Sequence, residues 1–242
     1  MISQKISQYW RVSVVEVTGS TQDDLAQLIA DKKAINGEVI TTEFQSAGRG
    51  RLDRKFDAPA SSALMFSFYV EPHRDKSDWS FLPLLTGLAA IFSLTKLDPE
   101  SSPTLKWPND ILIKDGKVGG IIAQASGDGV VIGVGINVAM TQEELPVVSA
   151  TSLALHSFSE MDRNLILATF LNTFEELFER WQNGEDLRHL YKERSATIGH
   201  EIRIEHPDGS HKNGKAVDVT PAGELILEDG SRVTVGDVVH LR

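Results

Sequence analysis

The sequence predicts an α+β fold: a central sheet packed against helices, then a small β-barrel at the C-terminus. Three observations carry this. A glycine-punctuated run from Leu105 to Asn137 reads as consecutive strands. Trp79–Leu97 and the segment after Asp162 read as helices, one apolar nearly all round and one amphipathic. From about Ser195 the apolar period changes to two, with turn signals every few residues. At 242 residues the chain has room for one large domain and one small one, expected at 1–194 and 195–242.

In chain order, Val12, Val14, Val15 and Val17 form a β-branched run that reads as a strand ending at Thr18-Gly19. Ser20 or Thr21 then caps a helix with Leu25, Leu28 and Ile29 on one face, which Asn36-Gly37 stops. Val39–Phe44 reads as a second strand. Leu64, Phe66, Phe68 and Val70 alternate with Met65, Ser67 and Tyr69, a strand pattern. Pro83 falls near the first turn of the apolar helix. Asp115-Gly116 between two apolar runs signals a hairpin whose turn needs positive φ. Gly127-Asp128-Gly129 makes the next turn, so Ile111–Asn137 reads as an antiparallel meander. Asp162 caps a helix carrying Leu165, Leu167, Phe170, Leu171, Phe174, Leu177, Phe178 and Trp181, and Glu185–Arg194 is a further short one.

Composition bounds the function. The chain has a formal net charge of −10, 41% hydrophobic residues and no cysteine. The acidic balance speaks against broad nucleic-acid binding, so no DNA partner is expected. The absence of cysteine removes thiolate metal sites and any thiol nucleophile. The N-terminal residues lack the apolar core of a signal peptide, and the longest nearly apolar stretch, Leu82–Leu94, is too short to span a bilayer. The expectation is a cytoplasmic protein with no membrane partner.

Against that acidic background, Arg49, Arg51, Arg54 and Lys55 place four cations in seven residues, with Gly48 and Gly50 among them. The segment reads as an ordering loop for a phosphate or carboxylate, the alternative being a solvated basic turn. It matches neither a Walker A pattern nor a dinucleotide fingerprint. It lies between two predicted strands, so no helix N-terminus is expected beside it. Such a loop costs self-repulsion when empty and should then prefer to be open. Taken singly, Lys106, Lys117, Asn109-Asp110, Asn137, Gln45 and the Ser20-Thr21 pair each have ordinary structural readings as edge, turn or cap residues.

Together these segments resemble the biotin–protein ligase family. Gln45–Arg51 (QSAGRGR), Lys106–Asp110 (KWPND), Lys117–Gly120 (KVGG), Gly133–Asn137 (GVGIN) and Ala150–Leu153 (ATSL) match in order and spacing, with Ser20-Thr21 ahead of them. The resemblance covers roughly residues 15–242. It implies a mixed sheet of the class II synthetase type with an SH3-like barrel behind it, and a two-step, ATP-dependent reaction. Biotin is first activated as biotinyl-5′-AMP. It is then transferred to a lysine of a biotin carboxyl carrier protein domain. The first strand begins so near Met1 that the helix-turn-helix of larger members is not expected, and a homodimer is left open.

By the same resemblance, Lys117, Arg49 and Arg51 are the candidate catalytic residues. Ser20, Thr21, Gln22, Gln45, Gly50, Gly119 and Gly120 join them around biotin. Arg54, Phe56, Asn109, Asp110 and Asn137 lie with them on the ATP side, and Asp110 is the candidate ligand for Mg²⁺. Three positions depart from the family pattern. Gln22 stands where asparagine is usual, Asp53 where glycine is common, and Phe56 where tryptophan is usual. The rival readings are a lipoate–protein ligase or octanoyltransferase, and a nucleotide- or RNA-binding module. The missing thiol disfavours the octanoyltransferase, and no Arg-Arg followed by a glycine triplet and His is present; the acidic balance and the few aromatics in the loop disfavour the binding module.

Overall fold

The structure is a computed structural model that describes residues 5–52 and 54–241, so Asp53 lies outside the described residues. The β-branched run forms β1 (Arg11–Thr18), followed by α1 (Thr21–Ala30) and by β2 (Glu38–Gln45), which returns parallel to β1. Helix α1 stops sooner than Asn36-Gly37 implies: Asp31 is its C-cap, and Lys32 takes a positive φ of 58°. Gly37 answers a different demand, a φ of +88° at a point where a Cβ would run into the Tyr9 carbonyl.

β3 (Ala63–Val70) runs antiparallel to β2. A 3-10 turn then leads into α2 (Leu82–Leu97), with Pro83 in its first turn as expected. Four strands follow: β4 (Thr104–Lys106), β5 (Asp110–Ile113), β6 (Gly116–Ser126) and β7 (Gly129–Asn137). The sheet order is β1-β2-β3-β7-β6-β5-β4, parallel only between β1 and β2, so the central sheet is mixed. At the β5–β6 hairpin the positive φ, 53°, falls on Lys114 rather than on Gly116. Gly116 opens β6, and a Cβ there would meet the Thr151 side chain at 2.7 Å. Its lack of a side chain therefore serves packing, not turn geometry.

Helix α3 (Arg163–Gln182) is capped by Asp162, whose carboxylate accepts from the Asn164 N–H at 2.9 Å. α4 (Arg188–Arg194) starts three residues later than Glu185. Glu185 instead pairs back with Arg180 at 2.6 Å, and Asp186 pairs with Arg188. The period-two region forms β8 (Glu201–Glu205), β9 (His211–Val219), β10 (Leu225–Leu227), β11 (Arg232–Val233) and β12 (Asp237–His240). They make one antiparallel sheet in the order β11-β10-β9-β8-β12. The five strands match the expectation, but β11 and β12 lie at opposite ends and the hydrogen-bonded ladder does not close.

The alternation along β3 and β7 decides what each face of the central sheet meets. Leu64, Phe66, Phe68 and Val70, with Val130, Ile132, Val134 and Ile136, join the main core under α2 and α3. There Phe68 meets Phe174 edge-on at 4.7 Å, and Phe66 meets Phe170 at 5.0 Å. On the opposite face Tyr69 and Val131 pack with Leu25 of α1. Both strands are thus buried throughout, whereas alternation alone predicts one covered face. Residues 76–97 are long and apolar enough to cross a membrane, yet 67% of the most apolar window is buried inside the fold. The apolar circumference of α2 is explained by its position between the sheet, α3 and α4.

One backbone approach in this sheet is testable. A Cβ on Gly119 of β6 would sit 2.6 Å from the Gly135 carbonyl of β7, and both strands are held in register. Gly119→Ala is expected to destabilise the fold by about 1–3 kcal/mol, read as a lower urea midpoint with an unchanged slope. A wild-type midpoint would mean that the two strands can separate freely. Asp162→Ala, which removes only the α3 cap, should cost about 1 kcal/mol in the same assay.

Candidate active site

The α1 face of the sheet holds a cavity of about 510 Å³. Its floor exists because β7 carries glycine at two of the positions that turn toward it. A Cβ on Gly133 would meet Gln22 Oε1 at 2.7 Å, and one on Gly135 would meet the Phe56 ring at 2.6 Å. Gly120 of β6 is different: its nearest neighbours are Lys117 Cε and Nζ at 3.5 Å, ordinary contact distance. Space remains above Gly120, while Gly119 beside it is glycine for the strand contact just described.

The described residues of the basic segment, 48–52 and 54–56, form a small hairpin along one side of this cavity. Arg49 and Lys55 form an antiparallel bridge, and Gly50 N–H donates to the Arg54 carbonyl at 2.7 Å. Gly48 allows the closest approach, since a Cβ there would collide with the Phe56 carbonyl. The cations do not repel one another into solvent. Arg49 pairs with Asp23 of α1 at 2.5 Å; Arg54 pairs with Asp237 of β12, and Arg51 lies 3.6 Å from the same carboxylate. Arg51 also donates to Asn109 Oδ1 at 3.1 Å. Burial lowers the pKa of its guanidinium, and the Asp237 and Asp110 carboxylates oppose that shift. The expectation of a loop held open by its own charge is corrected: its arginines are tied to carboxylates.

Lys117 is fixed at both backbone atoms by a segment distant in sequence. Its N–H donates to the Ser149 carbonyl and its carbonyl accepts from the Thr151 N–H, each at 2.8 Å. Its ammonium lies 2.5 Å from Asp110 Oδ1. Among the described lining residues, the cations Arg49, Arg51, Arg54, Lys55, Lys106 and Lys117 outnumber the carboxylates Asp57, Asp110 and Asp237 by six to three. In a chain of net charge −10, that excess marks an anion site.

The far wall is the start of α1, so a helix N-terminus does face the cavity, contrary to expectation. Ser20 occupies the N-cap position but makes no side-chain cap bond, which removes its ordinary structural explanation. Thr21 offers both its N–H and its hydroxyl to Gln45 Oε1, at 2.8 and 3.1 Å, and its hydroxyl meets Ser67 Oγ at 2.8 Å. Gln22 is consumed by the protein: its amide donates to the Val131 carbonyl and accepts from Ser67. Asn137 donates to the Thr151 carbonyl at 2.9 Å, and Asn109 to the Ile121 carbonyl at 2.8 Å. Every residue that the resemblance places around biotin or ATP, from Ser20 to Asn137, lines this one cavity, whereas Gly48 does not. Phe56 lies over Gly135 in a small cluster with Met65 and Met140.

The sequence pattern that defines the biotin/lipoate A/B protein ligase family matches residues 14–137, just over half of the 242 residues. The chain belongs to that family. Within the biotin/lipoate ligases, it is 39% identical over 241 residues to the biotin–[acetyl-CoA-carboxylase] ligase of Mycobacterium tuberculosis, covering 96% of this chain and 90% of that one. The bifunctional ligase/repressor BirA of Escherichia coli is 32% identical over 178 residues, 70% of this chain and 54% of its own length. Among solved structures, the biotin protein ligase of Aquifex aeolicus in complex with biotin and ATP superposes with a TM-score of 0.81 at 26% identity. It covers 96% of this chain and 99% of that one.

Three parts of the cavity wall were missed in the sequence. Asp237 and Val238 come from the second sheet, where nothing local marks them as partners of a loop more than 180 residues earlier. Pro146, Val147 and Ser149 form another edge, next to Ala150 of the ATSL segment. Val147 and Val148 are the available signal, an apolar pair left exposed at the surface. Lys106 lines the wall, although it was read as edge decoration. Gln22 gives a test that separates scaffold from ligand contact. Gln22→Ala removes its buried bonds to the Val131 carbonyl and the Ser67 hydroxyl and should cost about 1–3 kcal/mol of stability, measured by thermal unfolding of the free protein. An unchanged melting temperature would mean that the side chain is held for a ligand instead.

Proposed function

We propose that the chain is a biotin–protein ligase: it activates biotin with ATP as biotinyl-5′-AMP and transfers the biotinyl group to a lysine of a biotin carboxyl carrier protein domain. The observation that carries this reading is the meeting, in one cavity, of the α1 N-terminus, the paired arginines and Lys117. The similarity to the M. tuberculosis ligase along nearly the whole chain supports it. The cavity volume lies within the roughly 300–1,000 Å³ range usual for small-molecule sites.

The chemistry follows from charge. A carboxylate and a triphosphate repel, so both must be neutralised before an oxygen can approach phosphorus in line. In this reading Ser20, Thr21 and Gln45 hold the ureido end of biotin, whose ring lies over Gly120. Arg49 and Arg51 hold its carboxylate and the α-phosphate. A carboxylate oxygen then attacks the α-phosphorus and pyrophosphate leaves. Lys117 follows the negative charge that develops between the two groups. In the second step the amine of the carrier lysine attacks the biotinyl carbonyl, AMP leaves, and the amine gives up a proton. Arg54, Phe56, Asn109, Asp110 and Asn137 lie on the nucleotide side. None of the pairs that hold these cations is deeply buried, so each is open to exchange with a polyphosphate.

Mg²⁺ belongs to this chemistry as the ion that neutralises triphosphate charge. It takes few protein carboxylates and keeps phosphate and water ligands. One half-buried carboxylate, Asp110, stands beside Lys117, while no cluster of three or more acidic or histidine side chains occurs among the described residues. That donor set fits an ion held mainly by its nucleotide, with Asp110 as the protein ligand. The same reading divides the chain near residue 195, after α4 ends at Arg194 and before β8 begins at Glu201. It places the protein in the cytoplasm, where ATP and carrier domains are found, and gives it no DNA partner. A homodimer is compatible with it.

Incubation with biotin, ATP-Mg²⁺ and a carrier domain should give carrier labelled by biotin and not by lipoate. Labelling with lipoate alone, or none, would overturn the reading. Lys117→Ala should lower ATP–pyrophosphate exchange by at least about 100-fold with an unchanged melting temperature, since the side chain serves charge and not core packing. Arg49→Ala should release biotinyl-AMP into solution faster. Retention equal to wild type would show that the loop does not guard the intermediate.

A further inference from the structure

A carboxylate inside an anion site needs a reason, and Asp237 has none in the reaction just described. It lines the cavity from β12, pairs with Arg54, and lies 3.6 Å from Arg51. The adjacent Gly236 carbonyl accepts from Arg51 at 3.5 Å. The simplest explanation would be that Asp237 fastens the second sheet to the first. That task is already done by neutral bonds. Trp107 Nε1–H donates to the Gly223 carbonyl at 2.9 Å, Ser80 Oγ–H to the Ala222 carbonyl at 2.6 Å, and Ala196 N–H to the Leu105 carbonyl at 2.7 Å. Asp237 is also only a quarter exposed, so its charge is felt by the cavity more than by solvent.

We propose that Asp237 is a positioning residue for the nucleotide step: it occupies Arg51 and Arg54 in the free protein, and a polyphosphate must take them from it. The proposal rests on the ligase reading for what the polyphosphate is, but not for the exchange itself. The carboxylate holds the two guanidiniums at the cavity rim, one half-buried and one largely exposed, instead of letting them disperse into water. It also sets a threshold. A ligand with one negative charge offers Arg51 and Arg54 no more than Asp237 does, whereas a diphosphate or triphosphate offers several charges and displaces it. Arg49, held separately by Asp23, lies outside this exchange. The second sheet thereby tunes which anions the loop accepts, without touching biotin.

The exchange predicts a gain of function in binding. Asp237→Asn keeps the shape and removes the charge; Asp237→Ser removes charge and bulk; Asp237→Glu keeps the charge. Binding of inorganic pyrophosphate to the full chain is measured by calorimetry, with thermal unfolding in parallel. The two neutral variants should bind pyrophosphate at least about threefold more tightly than wild type, and the glutamate variant should stay near wild type. Biotin affinity in the absence of nucleotide should rise by less, because its single carboxylate meets only Arg51 of the two arginines that Asp237 holds. Weaker pyrophosphate binding in the neutral variants would overturn the proposal, because Asp237 would then be aligning the arginines for phosphate and not competing with it. Unchanged binding would overturn it as well. Carrier biotinylation, assayed separately, tests the ligase reading: its absence alongside tighter pyrophosphate binding would sink that reading and leave the exchange standing.

Discussion

The site depends on a conflict resolved along one strand. β7 lies in the middle of the sheet and is buried from end to end, yet one of its faces must stay clear for a ligand. The period of two divides these demands between alternate residues. Val130, Ile132, Val134 and Ile136 fill the core under the helices, and Gly133 and Gly135 face the cavity with no side chain. The first of these glycines is taken up by Gln22 and the second by Phe56, so the floor is bounded by contact and is not an accidental void. Any side chain at either position would push back α1 or the basic hairpin, both of which supply the walls.

Charge organises what the floor leaves open. The cavity concentrates cations in an acidic protein, and the three arginines of the hairpin are tied to two carboxylates on other elements, Arg49 to one and Arg51 and Arg54 to the other. Asp23 brings in α1, Asp237 brings in β12, and Asp110 holds Lys117 on β6. Fixed distances between the cations therefore come from three separate parts of the fold. None of these pairs is deeply buried, so none carries the large desolvation cost that would make it hard to exchange. The arrangement keeps the positive groups in place at little energetic cost, which suits a site whose ligands arrive, react and leave.

Much of this was legible because it depends on local rules. The antiparallel run Ile111–Asn137, the Asp162 cap and the five terminal strands follow from periodicity and turn chemistry. The resemblance places Gly119 and Gly120 alike around biotin, and both line the cavity, but a side chain on Gly119 would strike the neighbouring strand while one on Gly120 would not. What escaped was non-local. The end of α1 is set by Asp31 and not by the stronger signal at Asn36-Gly37, because Lys32 can itself take positive φ. Gly116 looked like a turn residue and is a packing residue against Thr151. Asp237 could not have been found at all: an Asp after a glycine near a strand is ordinary until the fold sets it against Arg54.

The anchoring of Lys117 has a practical consequence. The chain between β7 and residue 149 is pinned at both ends, by Val138 and Ala139 N–H groups on the Ser62 carbonyl and by the Ser149 carbonyl on Lys117. Between these pins, residues 141–144 and 146–148 are exposed, with Val148 wholly so. Length and composition there can change without moving the lysine. A reporter grafted at 147–148 would stand at the mouth of the cavity on a rigid base, where a dye or a spin label would register occupancy of the site from outside the molecule.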